Sequence, residues 1–109
     1  GPKNPVLVTL KVLPGKKQAM IDLLNTPDGL QATRAYDGNL SLEAFFNDAT
    51  YTYYVYGDWA SYEQYQNYLD WRFNGDESKM AQQVMALCVG GQEGLTPIFP
   101  NTDYSSFCN

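Results

Sequence analysis

"YVYGDWASYEQYQNYLDWR", Tyr54 to Arg72, decides how this chain is read. The stretch holds five tyrosines and both tryptophans of the protein. Its first part continues "TYTYYVYGDW", a β-branched and aromatic run with rings on both faces, which predicts a strand. Ser61 followed by Gln64 is a capping box, so a helix begins just after Trp59. That helix carries Tyr62, Tyr65, Tyr68, Leu69, Arg72 and Phe73, and Asn74-Gly75-Asp76 ends it. Such a corner is either a hydroxyl-rich core or the wall of a pocket for a flat molecule.

Upstream, "NLSLEAFFN" alternates Leu40, Leu42, Ala44 and Phe46 against Ser41, Glu43 and Phe45. With the turn "NDAT" it pairs with the aromatic run as an antiparallel hairpin. Asp37-Gly38 marks the turn before it. "NPVLVTLKVLP" is a first strand, stopped by Pro14-Gly15. "GKKQAMIDLLN" then puts Ala19, Met20, Leu23 and Leu24 on one helical face. Pro27 breaks that helix, and Thr26 or Asp28 caps a short segment reaching about Ala35. Downstream, Asp76 or Ser78 caps a helix with Met80, Val84, Leu87 and Cys88 on one stripe, stopped by Gly90-Gly91. "EGLTPIFP" reads as a short strand whose Pro97 and Pro100 favour a sheet edge.

The order is β-α-β-β-α-(α)-β, an α+β, ferredoxin-like βαββαβ arrangement with an antiparallel sheet. Residues 3–100 form one domain and 101–109 a polar tail with two aromatics. Helices cover one face of such a sheet. Phe45 lies opposite Phe46, and Tyr54 and Tyr56 opposite Tyr51, Tyr53 and Val55, so the second face is apolar too. A patch of that kind predicts a cover, most simply a second copy by two-fold symmetry.

The chain has 109 residues, 44% apolar and 17% charged, which suits one small folded domain. Net charge is −5, and the seven basic residues are scattered, which argues against nucleic-acid binding. There is no apolar run of membrane-spanning length. Gly1-Pro2 reads as a protease-cleavage scar, and no signal-peptide pattern follows, which favours a cytoplasmic location. There is no histidine, and Cys88 and Cys108 lack the spacing of a metal site, so neither a zinc site nor a Cys-His pair is expected. A buried Cys88 and a free Cys108 is the plain reading, with one disulfide the alternative.

"VTLKVLPGKKQAM", "RAYDGNLSLEAF" and above all "YVYGDWASYEQYQNYL" resemble the antibiotic biosynthesis monooxygenase family of dimeric α/β barrels. The resemblance spans about residues 5–99. It implies a homodimer and oxidation of a flat phenolic, quinol or polycyclic aromatic by O2, with no metal and no flavin. It also implies that Trp59 and Tyr65 line a pocket between sheet and helices as the catalytic pair. The family's asparagine, four residues before the tryptophan, falls on Val55. Its haem-degrading relatives use a histidine, which this chain lacks.

Cofactor-free oxygenation needs an electron-rich substrate in a dry aromatic slot, with donors at its oxygen and positive charge near the anion. On that chemistry Tyr53, Tyr62 and Tyr65 supply hydrogen bonds, and Tyr68 is a further substrate contact. Trp59 and Trp71 stack on rings, Val55 borders the substrate, and Arg72 or Lys79 balances a phenolate. Glu43, Asp58 and Glu63 are the candidate bases. Packing explains each ring singly, and a surface salt bridge is the plainer reading of Arg72. The concentration of rings at one corner favours a pocket. A non-catalytic dimeric module holding a hydrophobic aromatic ligand fits the same residues.

Overall fold

Strand β1 (Asn4–Lys11) buries Val6 and Leu10 while Lys11 stands in water, the alternation its sequence carries. A computed structural model of the chain describes residues 4–104. β1 pairs antiparallel with β3 (Thr52–Trp59) on one side and β4 (Leu95–Ile98) on the other; β2 (Asn39–Asn47) lies outside β3. The order β2-β3-β1-β4 is the ferredoxin-like sheet that the sequence predicts. Pro97 sits on the edge strand β4, where its missing N–H leaves no gap in a ladder.

Register fixes which side chains share a face. Val6 stands opposite Gly57, Val8 opposite Val55, and Leu10 opposite Tyr53; Leu42 of β2 also faces Gly57. Directly paired residues point the same way, so all of these lie on one face together with Trp59. On that face pack α1 (Lys17–Leu24), α3 (Tyr62–Asn74) and α4 (Met80–Ala86). The other face carries Leu7, Phe45, Tyr54 and Tyr56. Phe45 stacks on Tyr54 with centroids 5.5 Å apart, yet Phe45 remains 53% and Tyr56 41% exposed.

The cap predicted for α3 is present. Ser61 Oγ accepts the Gln64 backbone N–H at 3.1 Å, and Gly75 closes the other end. Three local expectations are corrected. α4 stops at Ala86, so Leu87 and Cys88 are not helical. Cys88 instead bridges Val12, the Leu87 carbonyl accepts from Leu13 N–H, and Val89 N–H donates to the Lys11 carbonyl. These bonds prolong the ladder of β1 and outcompete another helical turn, after which Gly90 and Gly91 reverse the chain at positive φ. Neither Thr26 nor Asp28 caps the segment after α1. Thr26 Oγ1 donates back to the Leu23 carbonyl, and a π-turn (Pro27–Gln31) runs into α2 (Ala32–Ala35). There Gly29 passes so close to the Leu24 carbonyl that any Cβ would collide with it. Arg72, finally, is no surface residue: it is 5% exposed.

The expected boundary at residue 100 falls on the first residue of a short helix, α5 (Pro100–Asp103). Just before it, Phe99 packs edge-on against Tyr62 and Tyr65. Cys88 is buried, and burial raises its thiol pKa. Cys108, and with it the disulfide alternative, lies outside the described residues, as do the last five residues of the tail. Among the described residues no helix is long and apolar enough to cross a membrane.

Candidate functional site

The helix-side core is divided. One cluster holds Leu10, Met20, Leu24, Tyr53 and Met80 among its members; the other consists of Val6, Trp59 and Tyr65 with a fringe of further rings. Val8 touches both clusters and, with Val55, stays partly exposed although it faces the helices from a central strand. Incomplete cover at the middle of a sheet means open space above it. A cavity of about 120 Å³ lies there, floored by β1 and β3 and walled by α3, α4 and the π-turn.

Gly57 makes part of that space. A Cβ on it would come within 3.1 Å of both Leu42 Cδ1 and Trp59 Nε1. The missing side chain thus leaves the edge of the Trp59 indole bare. Trp59 sits at the end of β3, 1% exposed, its ring against Tyr65 and Tyr68 at 5.4 and 5.2 Å. Ser61 starts α3 directly after this strand, which brings Tyr65 back over Trp59 after one turn of helix.

Tyr65 is 3% exposed, and the burial of its ring, with Tyr68 beside it, pushes the phenol pKa far up. The hydroxyl therefore stays protonated across the physiological range. Among the described residues, no group hydrogen-bonds this hydroxyl or the Trp59 indole N–H. Yet among the described residues, no buried side-chain nitrogen or oxygen is left without a partner. Both residues line the cavity. Away from the Arg72 end, the wall around these two donors is largely apolar.

The Arg72 end of the cavity is different. Nε donates to Tyr68 Oη at 2.8 Å, Nη1 to the Asp28 carbonyl and Asp76 Oδ2 at 2.9 Å, and Nη2 to the Gly29 carbonyl and Thr33 Oγ1 at 2.9 and 3.0 Å. Five N–H groups meet five acceptors, so the guanidinium is saturated. Asp76 is just as enclosed, its side chain 5% exposed. Burial alone would raise its pKa. Hydrogen bonds from Ser78 and Arg72, and from the backbone N–H groups of Ser78 and Met80, outweigh burial and hold it below the ordinary carboxylate value.

Of the residues singled out from the sequence, Trp59, Tyr65, Val55, Tyr68 and Arg72 meet at the cavity. Tyr53 lies in the neighbouring core cluster, where burial raises its pKa against the lowering effect of Arg34. The Tyr62 hydroxyl donates to the Pro5 carbonyl. Trp71 stacks on Tyr36 at 5.3 Å, outside the cavity. Glu43 and Glu63 are exposed, Asp58 accepts from Asn4 N–H, and none of the three lines the cavity. Lys79 caps α4 in the left-handed region, also outside it. Gly57, Leu30, Met80 and Val84 also line the wall. Of these only Gly57 carries a signal in sequence, as a glycine inside a strand. Among the described residues no three His, Cys, Asp or Glu side chains converge as a metal site would.

No protein-family model matches the chain, and no curated protein does. Solved structures do match, over nearly its whole length. A Nitrosomonas europaea protein provisionally named an antibiotic biosynthesis monooxygenase superposes with a TM-score of 0.70 at 12% identity, covering 98% of this chain and 92% of that one. A Streptomyces coelicolor monooxygenase, solved in complex with nanaomycin D, gives 0.67 at 17% identity, with the same two shares. A Chloroflexus aurantiacus protein, named provisionally like the first, gives 0.64 at 14%, covering 95% and 98%. The chain thus has an α+β, ferredoxin-like fold. More particularly, it is the fold of structures named antibiotic biosynthesis monooxygenases, as the sequence motifs imply.

Proposed function

We propose that the cavity binds a flat phenolic or quinol compound and that the protein is a cofactor-independent monooxygenase that oxidises it with O2. The observation that carries the reading is a pair of donors with no partner among the described residues, Trp59 Nε1–H and Tyr65 Oη–H, on residues that line a largely apolar cavity. For a quinol the reaction balances without an external reductant. The substrate gives up both hydroxyl hydrogens, and one ring C–H becomes C–OH. One oxygen atom enters the ring and the other leaves as water. The chain would contribute a dry slot, orientation of the ring by Trp59 and Tyr68, and donors that stabilise charge on the reacting oxygen. Arg72 acts here as scaffold, since its donors are taken.

The second reading is a binding module without catalysis. Val55, where the resemblance implies asparagine, and the lack of any carboxylate among the described residues of the cavity wall favour it. Oxygen uptake separates the two. Protein with added hydroquinones should consume O2 faster than the compounds do alone, and Trp59→Phe should return the rate to background while the fold is retained. Uptake no faster than the spontaneous rate with every compound would leave only the binding module.

We also propose that a second copy covers the open sheet face at Phe45, Tyr54 and Tyr56. Phe45→Glu should shift the sedimentation coefficient from dimer to monomer. A wild type that sediments as a monomer would rule the dimer out.

A further inference from the structure

The size and charge of the cavity narrow the class of ligand further, given the reading above that this is a ligand site. Its volume is about 120 Å³. An apolar protein cavity of about 150 Å³ holds a benzene ring, whereas sites for drug-sized molecules run to about 300 Å³ and more. One ring fills the space; a fused three-ring system overruns it. Leu42, Met80 and Val84, which bound it, are core residues under 10% exposed.

Charge is limited as firmly. Among the described residues Arg72 is the one charged side chain on the wall, and each of its N–H groups already has a protein acceptor. An anion could gain the guanidinium only by displacing Asp76, Tyr68, Thr33 or a π-turn carbonyl, and each is a buried group left unpaired by the exchange. Nor does Asp76 offer charge to a cation, because it is held by Arg72 and Ser78. What remains for the ligand is an indole N–H, which only donates, and a phenol O–H kept protonated by burial. Both suit an acceptor oxygen on a neutral molecule.

We infer that the ligand is an uncharged single-ring aromatic or quinonoid compound whose carbonyl or hydroxyl oxygen accepts hydrogen bonds from Trp59 and Tyr65. This excludes polycyclic substrates and phenolates as the bound species.

The test is a matched ligand series on the full chain: 4-hydroxybenzaldehyde, 6-hydroxy-2-naphthaldehyde and anthrone. Binding is read by indole fluorescence in wild type and in Trp71→Phe, where Trp59 is the sole indole, and by the shift in melting temperature. The one-ring aldehyde should quench Trp59 and raise the melting temperature, with the two-ring compound weaker by about tenfold or more and anthrone inactive. Raising the pH through the aldehyde's own phenol ionisation should abolish binding. Equal or tighter binding of the larger compounds would overturn the size limit, and undiminished binding of the phenolate would overturn neutrality. Either result leaves the ligand site standing. Silence from all three compounds in both readouts would instead remove the ligand site itself, and this inference with it.

Discussion

Two polar regions border one cavity, less than three turns of α3 apart, and they are built on opposite terms. Around Arg72 each donor has its acceptor, and two charges are shut away from water together. Around Trp59 and Tyr65, two buried rings present polar atoms to which no described residue responds. A saturated network ties segments distant in sequence, here α3 to the π-turn and α2, and holds the wall in place. An unsaturated pair buried in apolar surroundings brings the fold no hydrogen bond, so its use lies with something the fold receives. The difference fits a structural role for the first region and the proposed binding role for the second.

The largest effect should come from breaking the saturated region. Arg72→Met leaves Asp76 buried without its counter-charge and strands the Asp28 and Gly29 carbonyls. Urea denaturation should show a loss of about 3–5 kcal/mol. A loss under about 1 kcal/mol would mean that the network is not what ties α3 to the π-turn.

Acid should loosen the same region. Asp76 has a folded pKa below its unfolded one, so its contribution is fully present above the unfolded carboxylate value. It is lost as pH falls from there through the depressed folded value. Stability of wild type measured across that acid window should fall more steeply than that of Asp76→Asn, which starts lower and lacks this group's titration. Parallel curves would contradict the shift.

Gly57→Ala addresses the cavity floor. Its methyl would crowd Leu42 Cδ1 and Trp59 Nε1 at 3.1 Å, so the neighbours must yield by a few tenths of an ångström. Stability should change by about 1 kcal/mol or less, since the reduced freedom of the unfolded chain offsets the crowding. Binding of 4-hydroxybenzaldehyde should weaken by about tenfold or more, because the methyl takes ligand space and covers the indole edge.

The smallest effect on stability belongs to Tyr65→Phe. A hydroxyl with no partner among the described residues contributes no hydrogen bond to folding from them, so melting should move by the equivalent of under about 0.5 kcal/mol. Ligand affinity should fall about fivefold, the worth of one hydrogen bond. A large stability loss with unchanged affinity would put Tyr65 in the same class as Arg72 and erase the contrast.

Much of this was legible in the chain. Alternation in β1 and β2, the aromatic run of β3 and the Ser61–Gln64 cap are local signals, and the strand–Trp59–helix corner follows from them. The pocket pair Trp59 and Tyr65 was legible only through resemblance to a family, joined to the density of rings. Arg72 was misread as a surface residue because its partners Asp28, Gly29 and Thr33 lie about forty positions upstream, on a turn that no periodic pattern announces. Tyr53, Tyr62 and Trp71 looked equivalent to Tyr65 by residue type. Their separation from the cavity is decided by strand register and by the rotation of α3, which composition does not encode. The size of the cavity depends on Met80 and Val84, contributed by a helix whose own sequence reads as ordinary core.

The central claim is that Trp59 and Tyr65 face a ligand while Arg72 faces the protein. Nitrogen-15 NMR of the indole and guanidinium N–H groups tests it most directly. On addition of 4-hydroxybenzaldehyde, the Trp59 Nε1–H signal should move and its exchange with solvent should slow, while Trp71 Nε1–H and Arg72 Nε–H stay in place. Movement of the Arg72 signal with Trp59 unchanged would contradict the account, because it would show the ligand engaging the network that the fold has already saturated.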